Sequence, residues 1–316
     1  MSKLRTERLK KLCSQDNLIA ALAIDQRGAL RRMLGESASN EQLAEFKVLV
    51  SEYLTPYASS ILLDPEVGWK AAEKRASNAG LLMAYEKTGY DKTQPGRYPD
   101  LIDDVSVQRL KAKGADGIKL LLYIDIDEGK EVNDRKEAFV ERVASECKAE
   151  EMPFFLELVS YDANISDPKE YAKIKPRKVI KAMKLFSEPR FGVDVLKVEV
   201  PVDMKFVEGF AEQDAVYSQA QAQAYFKEQS DATEIPFIFL SAGVSAQLFL
   251  DTLRFAKEAG CDFNGVLCGR ATWAGAAEIF KAEGAEAAKQ WLLNEGKANI
   301  EALNAVLKET AQPLEI

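Results

Sequence analysis

Three short apolar runs carry charges where charge is costly. They read Ile118-Lys119-Leu120-Leu121-Leu122, Phe154-Phe155-Leu156-Glu157-Leu158 and Val195-Leu196-Lys197-Val198-Glu199-Val200. Each has the length of a strand, and side chains two apart in a strand share a face. The aliphatic and aromatic residues fill one face of each run. Lys119, Glu157, Lys197 and Glu199 are left on the other. Buried singly, each charge costs several kcal/mol, so a mutually paired cluster is the least costly arrangement. Such a cluster has a chemistry of its own. An amine beside another cation in a low-dielectric site releases its proton more readily. The neutral amine adds to a carbonyl and forms a Schiff base. Lys119 and Lys197 are equal candidates for that amine, each with the other as its neighbouring cation. Glu157 is suited to move the protons. The plain alternative is that these charges only neutralise one another.

Composition narrows the chemistry further. The 316 residues include no histidine, which removes Ser-His-Asp and Cys-His catalysis, histidine-ligated zinc and histidine bases together. Acid–base work must rest on Asp, Glu, Lys, Tyr or Cys. No metal and no cofactor are expected. The four cysteines, Cys13, Cys147, Cys261 and Cys268, form no C-x-x-C pair, which suits reduced thiols and no disulfide framework. The net charge of -8, with no long basic run, argues against a nucleic-acid surface. The N-terminal stretch is charged and helical in pattern, without a signal-peptide core, and no run approaches the length of a membrane span. A cytoplasmic protein without membrane partners is expected.

A second constellation lies downstream. Leu240-Ser241-Ala242-Gly243-Val244 and Leu267-Cys268-Gly269-Arg270-Ala271 each end an apolar run in small residues. Small residues let backbone N–H groups approach an anion, and arginine clamps phosphate oxygens. Read alone, Gly243 and Gly269 are turn glycines and Arg270 a surface charge. Read together, they suit a phosphate site.

The elements that must position these residues recur along the whole chain. Eight strand-like runs occupy residues 18–25, 59–64, 80–86, 117–123, 153–159, 195–201, 236–242 and 265–270. Helical patterns separate them, as at 40–57, 134–150 and 245–260. Alternation without consecutive hairpins implies a parallel sheet. Eight repeats imply an α/β fold of the (β/α)₈ TIM barrel type, as one domain over residues 1–316, with extra helices at the N- and C-termini. An open doubly wound sheet is the alternative, but the first run ends in Asp25-Gln26-Arg27-Gly28, with no glycine-rich phosphate loop. In a barrel the site lies at the C-terminal strand ends, with phosphate after strands 7 and 8. Asp25, Asp64, Glu86, Glu157 and Arg270 fall near such ends. Residues 88–99, after the third run, and 162–178, after the fifth, are expected as long loops.

The segments Ala23-Ile24-Asp25-Gln26-Arg27-Gly28-Ala29-Leu30, Ala84-Tyr85-Glu86-Lys87-Thr88-Gly89-Tyr90-Asp91, Val195-Leu196-Lys197-Val198-Glu199-Val200-Pro201 and Val266-Leu267-Cys268-Gly269-Arg270-Ala271-Thr272-Trp273 closely resemble the tagatose 1,6-diphosphate aldolases of the Gram-positive lactose pathway. The resemblance runs over nearly the whole chain. It implies a metal-free class I aldolase that cleaves tagatose 1,6-bisphosphate to dihydroxyacetone phosphate and glyceraldehyde 3-phosphate and tolerates related ketohexose bisphosphates. It assigns the Schiff base to Lys197, the acid/base role to Glu157 and a second active-site lysine to Lys119. Asp25 and Gln26 become substrate contacts. Ser241, Gly243, Gly269 and Arg270, with the Leu267 backbone, become the phosphate site. Arg27 and Lys87 are candidates for the second phosphate. A sugar bisphosphate is thus the expected small-molecule partner, and association into a homo-oligomer the accompanying expectation. Two other readings stand beside it: a class I aldolase for another ketose phosphate, such as a sulfofructose phosphate, and a barrel that binds sugar phosphates without turning them over.

Overall fold

A computed structural model describes residues 1–87, 95–212 and 214–316. Strands β1 (Ile19–Ala23), β2 (Ser60–Leu63), β3 (Gly80–Ala84), β4 (Gly117–Ile124), β5 (Phe154–Ser160), β6 (Val195–Val198), β7 (Phe237–Leu240) and β8 (Gly265–Cys268) close into a barrel in sequence order. Every neighbouring pair is parallel, including β1 with β8. The (β/α)₈ barrel expected from the alternation is the fold.

Strand parity divides the apolar residues into two bodies. Leu22, Ile61, Leu81, Ile118, Leu156, Leu196 and Phe239 point outward and pack against the helices. Ala21, Ala23, Leu62, Leu82, Ala84, Phe155, Val195, Ile238 and Leu267 point inward and fill the barrel. The inner body continues into Leu9 and Leu12, at the end of the N-terminal helix Lys3–Lys11, and into Leu314 near the C-terminus. The hydroxyls of Ser59 and Ser60 donate to the Leu12 carbonyl at 2.8 and 3.1 Å. Gly80 opens β3 where the Lys11 carbonyl leaves no room for a Cβ. Both chain ends therefore close the N-terminal mouth, and the opposite mouth stays open.

Except for β4 and β5, the strands are shorter than the apolar runs. Asp25, Glu86, Glu199, Ser241 and Arg270 lie one or two residues beyond the strand ends, on the rim of the open mouth. The C-terminal stretch gives the helix Arg270–Glu283 and then one helical run, Ala285–Trp291 and Lys297–Thr310 joined through the π-turn Leu292–Gly296.

One expected loop is largely a helix. Asp167 caps the helix Pro168–Phe186 by accepting from the Glu170 N–H, with Pro168 in the first turn, where its missing N–H is harmless. Pro176, inside the helix, deprives the Ala172 carbonyl of its donor. The Tyr217 hydroxyl replaces it, shared between the carbonyls of Ala172 at 3.1 Å and Lys173 at 2.8 Å. The stretch 162–178 is thus loop only to residue 167. Of the loop expected at 88–99, residues 88–94 lie outside the described residues, as do the last residues of the segment Ala84–Asp91. All four cysteines are buried free thiols, and burial pushes those of Cys13, Cys261 and Cys268 up to about 12. Among the described residues no helix is long and apolar enough to cross a membrane.

Candidate active site

The inward parity of the strands delivers a charge cluster to the open mouth. Lys119 of β4 donates to Asp25 at 2.9 Å, to Glu86 at 2.7 Å and to Glu157 at 2.8 Å. An ammonium carries three protons, so Lys119 is fully engaged. Its side chain is 1% exposed. Lys197 of β6 meets one carboxylate, the other oxygen of Glu157, at 2.7 Å, and its side chain is 6% exposed. Parallel register places Glu157 opposite Lys197 and Leu121.

The expectation of two lysines side by side is therefore corrected. The Glu157 carboxylate stands between them, one oxygen on each. Like charges in a buried site are held apart by the counter-ion that lowers the cost of both. Burial alone would lower the pKa of Lys119. The charges of Asp25, Glu157 and Glu86 override it and hold the ammonium well above the ordinary lysine range. Burial alone would raise Asp25 and Glu157. Lys119 and Lys197 override it, and both carboxyls lie below their ordinary values. The two lysines, equivalent by parity, differ by contact: Lys119 is a fixed cation, whereas Lys197 pairs, among the described residues, with Glu157 alone.

Above the cluster opens a cavity of about 770 Å³. Asp25, Gln26, Glu157 and Lys197 line one part of it, and Ser241, Gly243, Leu267, Gly269 and Arg270 line another. The parity and strand-end readings thus converge on one space. Gly243 has φ +76°, and a Cβ there would lie 2.6 Å from the guanidinium carbon of Arg270. A Cβ on Gly269 would lie 2.9 Å from the Ala23 carbonyl. Gly269 is required by close approach to backbone, and Gly243 by its left-handed φ, since the Arg270 side chain could move aside. Arg270 opens the helix Arg270–Glu283, is exposed and makes no ion pair among the described residues. Leu267 is buried, with its side chain in the inner body, and lines the cavity. The Gln26 side-chain oxygen is buried with no hydrogen-bond partner among the described residues.

Other sequence candidates are already engaged. Arg27 pairs with Glu66 and donates to the Glu86 carbonyl at 3.1 and 3.0 Å. Lys87 pairs with Asp100 at 2.9 Å and Asp103 at 2.7 Å. Both line the cavity, but neither offers an unpaired charge. Asp64 is paired with Lys47 away from the cavity, both fully buried. Glu199 reaches the rim, where it accepts from the Ser160 N–H at 2.7 Å and the Ser160 hydroxyl at 2.6 Å and pairs with Lys175 at 3.4 Å. Glu86, noted in the sequence only for its place near a strand end and given no role, is the third partner of Lys119. One residue was missed: Arg32, in the short helix Gly28–Leu34, is exposed, lines the cavity and has no ion pair among the described residues. Its signal was one helical turn of spacing from Gly28, which also lines the cavity.

The closed parallel barrel is a fold shared with solved aldolases. The chain belongs to the DeoC/LacD family of aldolases, whose profile matches residues 19–275. It is 60% identical over 315 residues to tagatose 1,6-diphosphate aldolase 1 of Enterococcus faecalis, covering 98% of this chain and 97% of that one. It is 57% identical over 309 residues to tagatose 1,6-diphosphate aldolase 1 of Streptococcus mutans, covering 96% and 95%. Solved structures share the fold at 15% identity. They include an archaeal fructose 1,6-bisphosphate aldolase (TM-score 0.61, covering 95% of this chain and 99% of that one) and the fructose-bisphosphate aldolase of Plasmodium falciparum (TM-score 0.68, covering 95% and 94%).

Proposed function

We propose that this chain, as a single barrel domain, reversibly cleaves tagatose 1,6-bisphosphate to dihydroxyacetone phosphate and glyceraldehyde 3-phosphate through a Schiff base on Lys197, and that it accepts fructose 1,6-bisphosphate as a second substrate. The observation that carries this reading is the bridging position of Glu157, 2.7 Å from Lys197 and 2.8 Å from Lys119.

The steps follow from those contacts. Glu157 takes a proton from the Lys197 ammonium, and the neutral amine attacks the substrate C2 carbonyl. Proton exchange gives the carbinolamine with Glu157 protonated. Glu157 returns its proton to the carbinolamine hydroxyl, which leaves as water, and the protonated imine forms. The restored carboxylate accepts the C4 hydroxyl proton as the C3–C4 bond breaks. The electron pair moves into the imine as an enamine, and the aldehyde is released. Protonation of the enamine at C3 and hydrolysis of the imine free dihydroxyacetone phosphate. Lys119, with all its protons engaged, keeps its charge throughout and steadies the ionised forms of Glu157 and Asp25. Asp25 and the unpartnered Gln26 oxygen accept from substrate hydroxyls. Ser241, the Leu267 backbone, the close-approach glycines and Arg270 hold the phosphate of the dihydroxyacetone half. Arg32, rather than Arg27 or Lys87, meets the second phosphate.

Borohydride reduction in the presence of dihydroxyacetone phosphate, followed by peptide mass mapping, tests the assignment. The adduct is expected on Lys197. An adduct on Lys119, or none, overturns it.

A further inference from the structure

Glu86 takes no part in the steps above, yet it is among the most firmly held side chains beside them. It is 2% exposed. One carboxylate oxygen accepts from Lys119 at 2.7 Å, the other from the Leu121 N–H at 3.1 Å. Both terminal nitrogens of Arg27 donate to its carbonyl. Its backbone is pinned on either side: Tyr85 donates to the Lys119 carbonyl at 3.0 Å, Lys87 donates to the Asp100 carbonyl at 2.9 Å, and Glu86 bridges to Leu101.

Lys119 divides its three protons among Asp25, Glu86 and Glu157. The chemistry proposed for this site uses Asp25 and Glu157 but not Glu86. The geometry points to Glu86 as a positioning residue for the aldol cleavage: it anchors Lys119 from the β3 side and takes up one share of its charge, so that Glu157 both gains and gives a proton beside Lys197. This inference rests on the assignment of Lys197 and Glu157 above. Without the Glu86 charge, Lys119 turns its whole charge on Asp25 and Glu157. Glu157 is then held as a carboxylate, a good base toward Lys197 but a poor acid toward the carbinolamine hydroxyl. Glutamine is a poor replacement for Glu86: Lys119 and the Leu121 N–H meet different carboxylate oxygens, so the amide nitrogen sets a donor against one of these donors. Aspartate keeps the charge one methylene short.

The experiment compares the full-length wild type, E86Q and E86D by borohydride trapping with dihydroxyacetone phosphate and by steady-state cleavage of tagatose 1,6-bisphosphate across pH. Trapping in the wild type tests the underlying assignment separately: no adduct on Lys197 there removes that assignment, whatever E86Q does. With the adduct present, E86Q is expected to lose roughly tenfold or more in kcat while KM stays within about threefold, the pattern of a lost interaction that matters to the chemical steps. The acid limb of kcat/KM, where Glu157 must be ionised, moves to lower pH. E86D regains part of kcat and returns the limb toward its wild-type position. The inference is overturned if kcat of E86Q stays within about twofold of wild type, or if its loss comes with an unmoved acid limb and no recovery in E86D. Should E86Q not fold, E86A is assayed with sodium acetate and with sodium chloride. Recovery of kcat by acetate alone supports the inference, and its absence overturns it.

Discussion

Replacing Lys119 by methionine removes the one charge that three carboxylates share, while nearly conserving shape. At about 2.8 Å and an effective dielectric of ~20, each contact corresponds to roughly 6 kcal/mol of Coulomb attraction, most of it set against desolvation. The net effect of stripping one partner from a buried pair is about 3–5 kcal/mol. For a chain of this size that is roughly 6–10 °C in Tm, taking ~2 °C per kcal/mol. The pH dependence gives the stricter test. In the wild type, Asp25 and Glu157 lie below their ordinary values. Their contribution to stability is present above the unfolded carboxyl range and is lost as pH falls through the folded values. In K119M, burial is no longer offset by Lys119 and the folded values rise. Stability is then retained at low pH and lost as pH climbs through and beyond the unfolded range near ~4. The Tm gap between wild type and K119M is therefore expected to be large at neutral pH and to narrow toward about pH 5. Differential scanning calorimetry of the two proteins at both pH values measures it. A gap that is absent, or equal at the two pH values, refutes the view of Lys119 as a charge-sharing centre.

Other outcomes follow from the same geometry. E157Q is expected to slow turnover by roughly 10²–10⁴-fold while dihydroxyacetone phosphate still binds, measured by steady-state kinetics and titration; equal loss of binding would make Glu157 a structural residue. R32Q is expected to raise KM for the bisphosphate by roughly 10- to 100-fold but to leave KM for the 1-phosphate ketose unchanged, as the loss of a charged contact to the second phosphate alone requires. G243A forces a side chain into a left-handed backbone, at about 1–2 kcal/mol, and against Arg270. Inhibition by inorganic phosphate is expected to weaken in this variant while its fold is kept, and undiminished inhibition would remove Gly243 from the phosphate site.

The residues that sequence reasoning located are those governed by strand parity. Lys119, Glu157 and Lys197 each interrupt an apolar alternation, and a period of two leaves them nowhere to point but inward. The small residues around Ser241 and Gly269 were legible because Gly243 serves a left-handed turn and Gly269 a close backbone approach, both after apolar runs. Cross-strand partnership was not legible. Asp25 reaches Lys119 although β1 and β4 are not neighbours, because both side chains cross the barrel interior. Arg27 reads as an available cation until Glu66 and the Glu86 carbonyl are seen beside it. Glu199 reads like Glu157 until Ser160 and Lys175 engage it. The helix Pro168–Phe186 contains Pro176, an interior helix breaker whose cost is offset by Tyr217, some forty residues downstream. In each case the missing information was a contact remote in sequence.

The floor built from Leu9, Leu12 and Leu314 makes this barrel a cup and not a tube. The cavity is lined from the rim of the open mouth, so whatever enters or leaves it passes on that side. The Leu314 N–H donates to the Asn17 carbonyl at 2.9 Å, so the C-terminal segment lies on the closed side of the barrel, where an affinity tag or a tether to a solid support leaves the width of the opening unchanged.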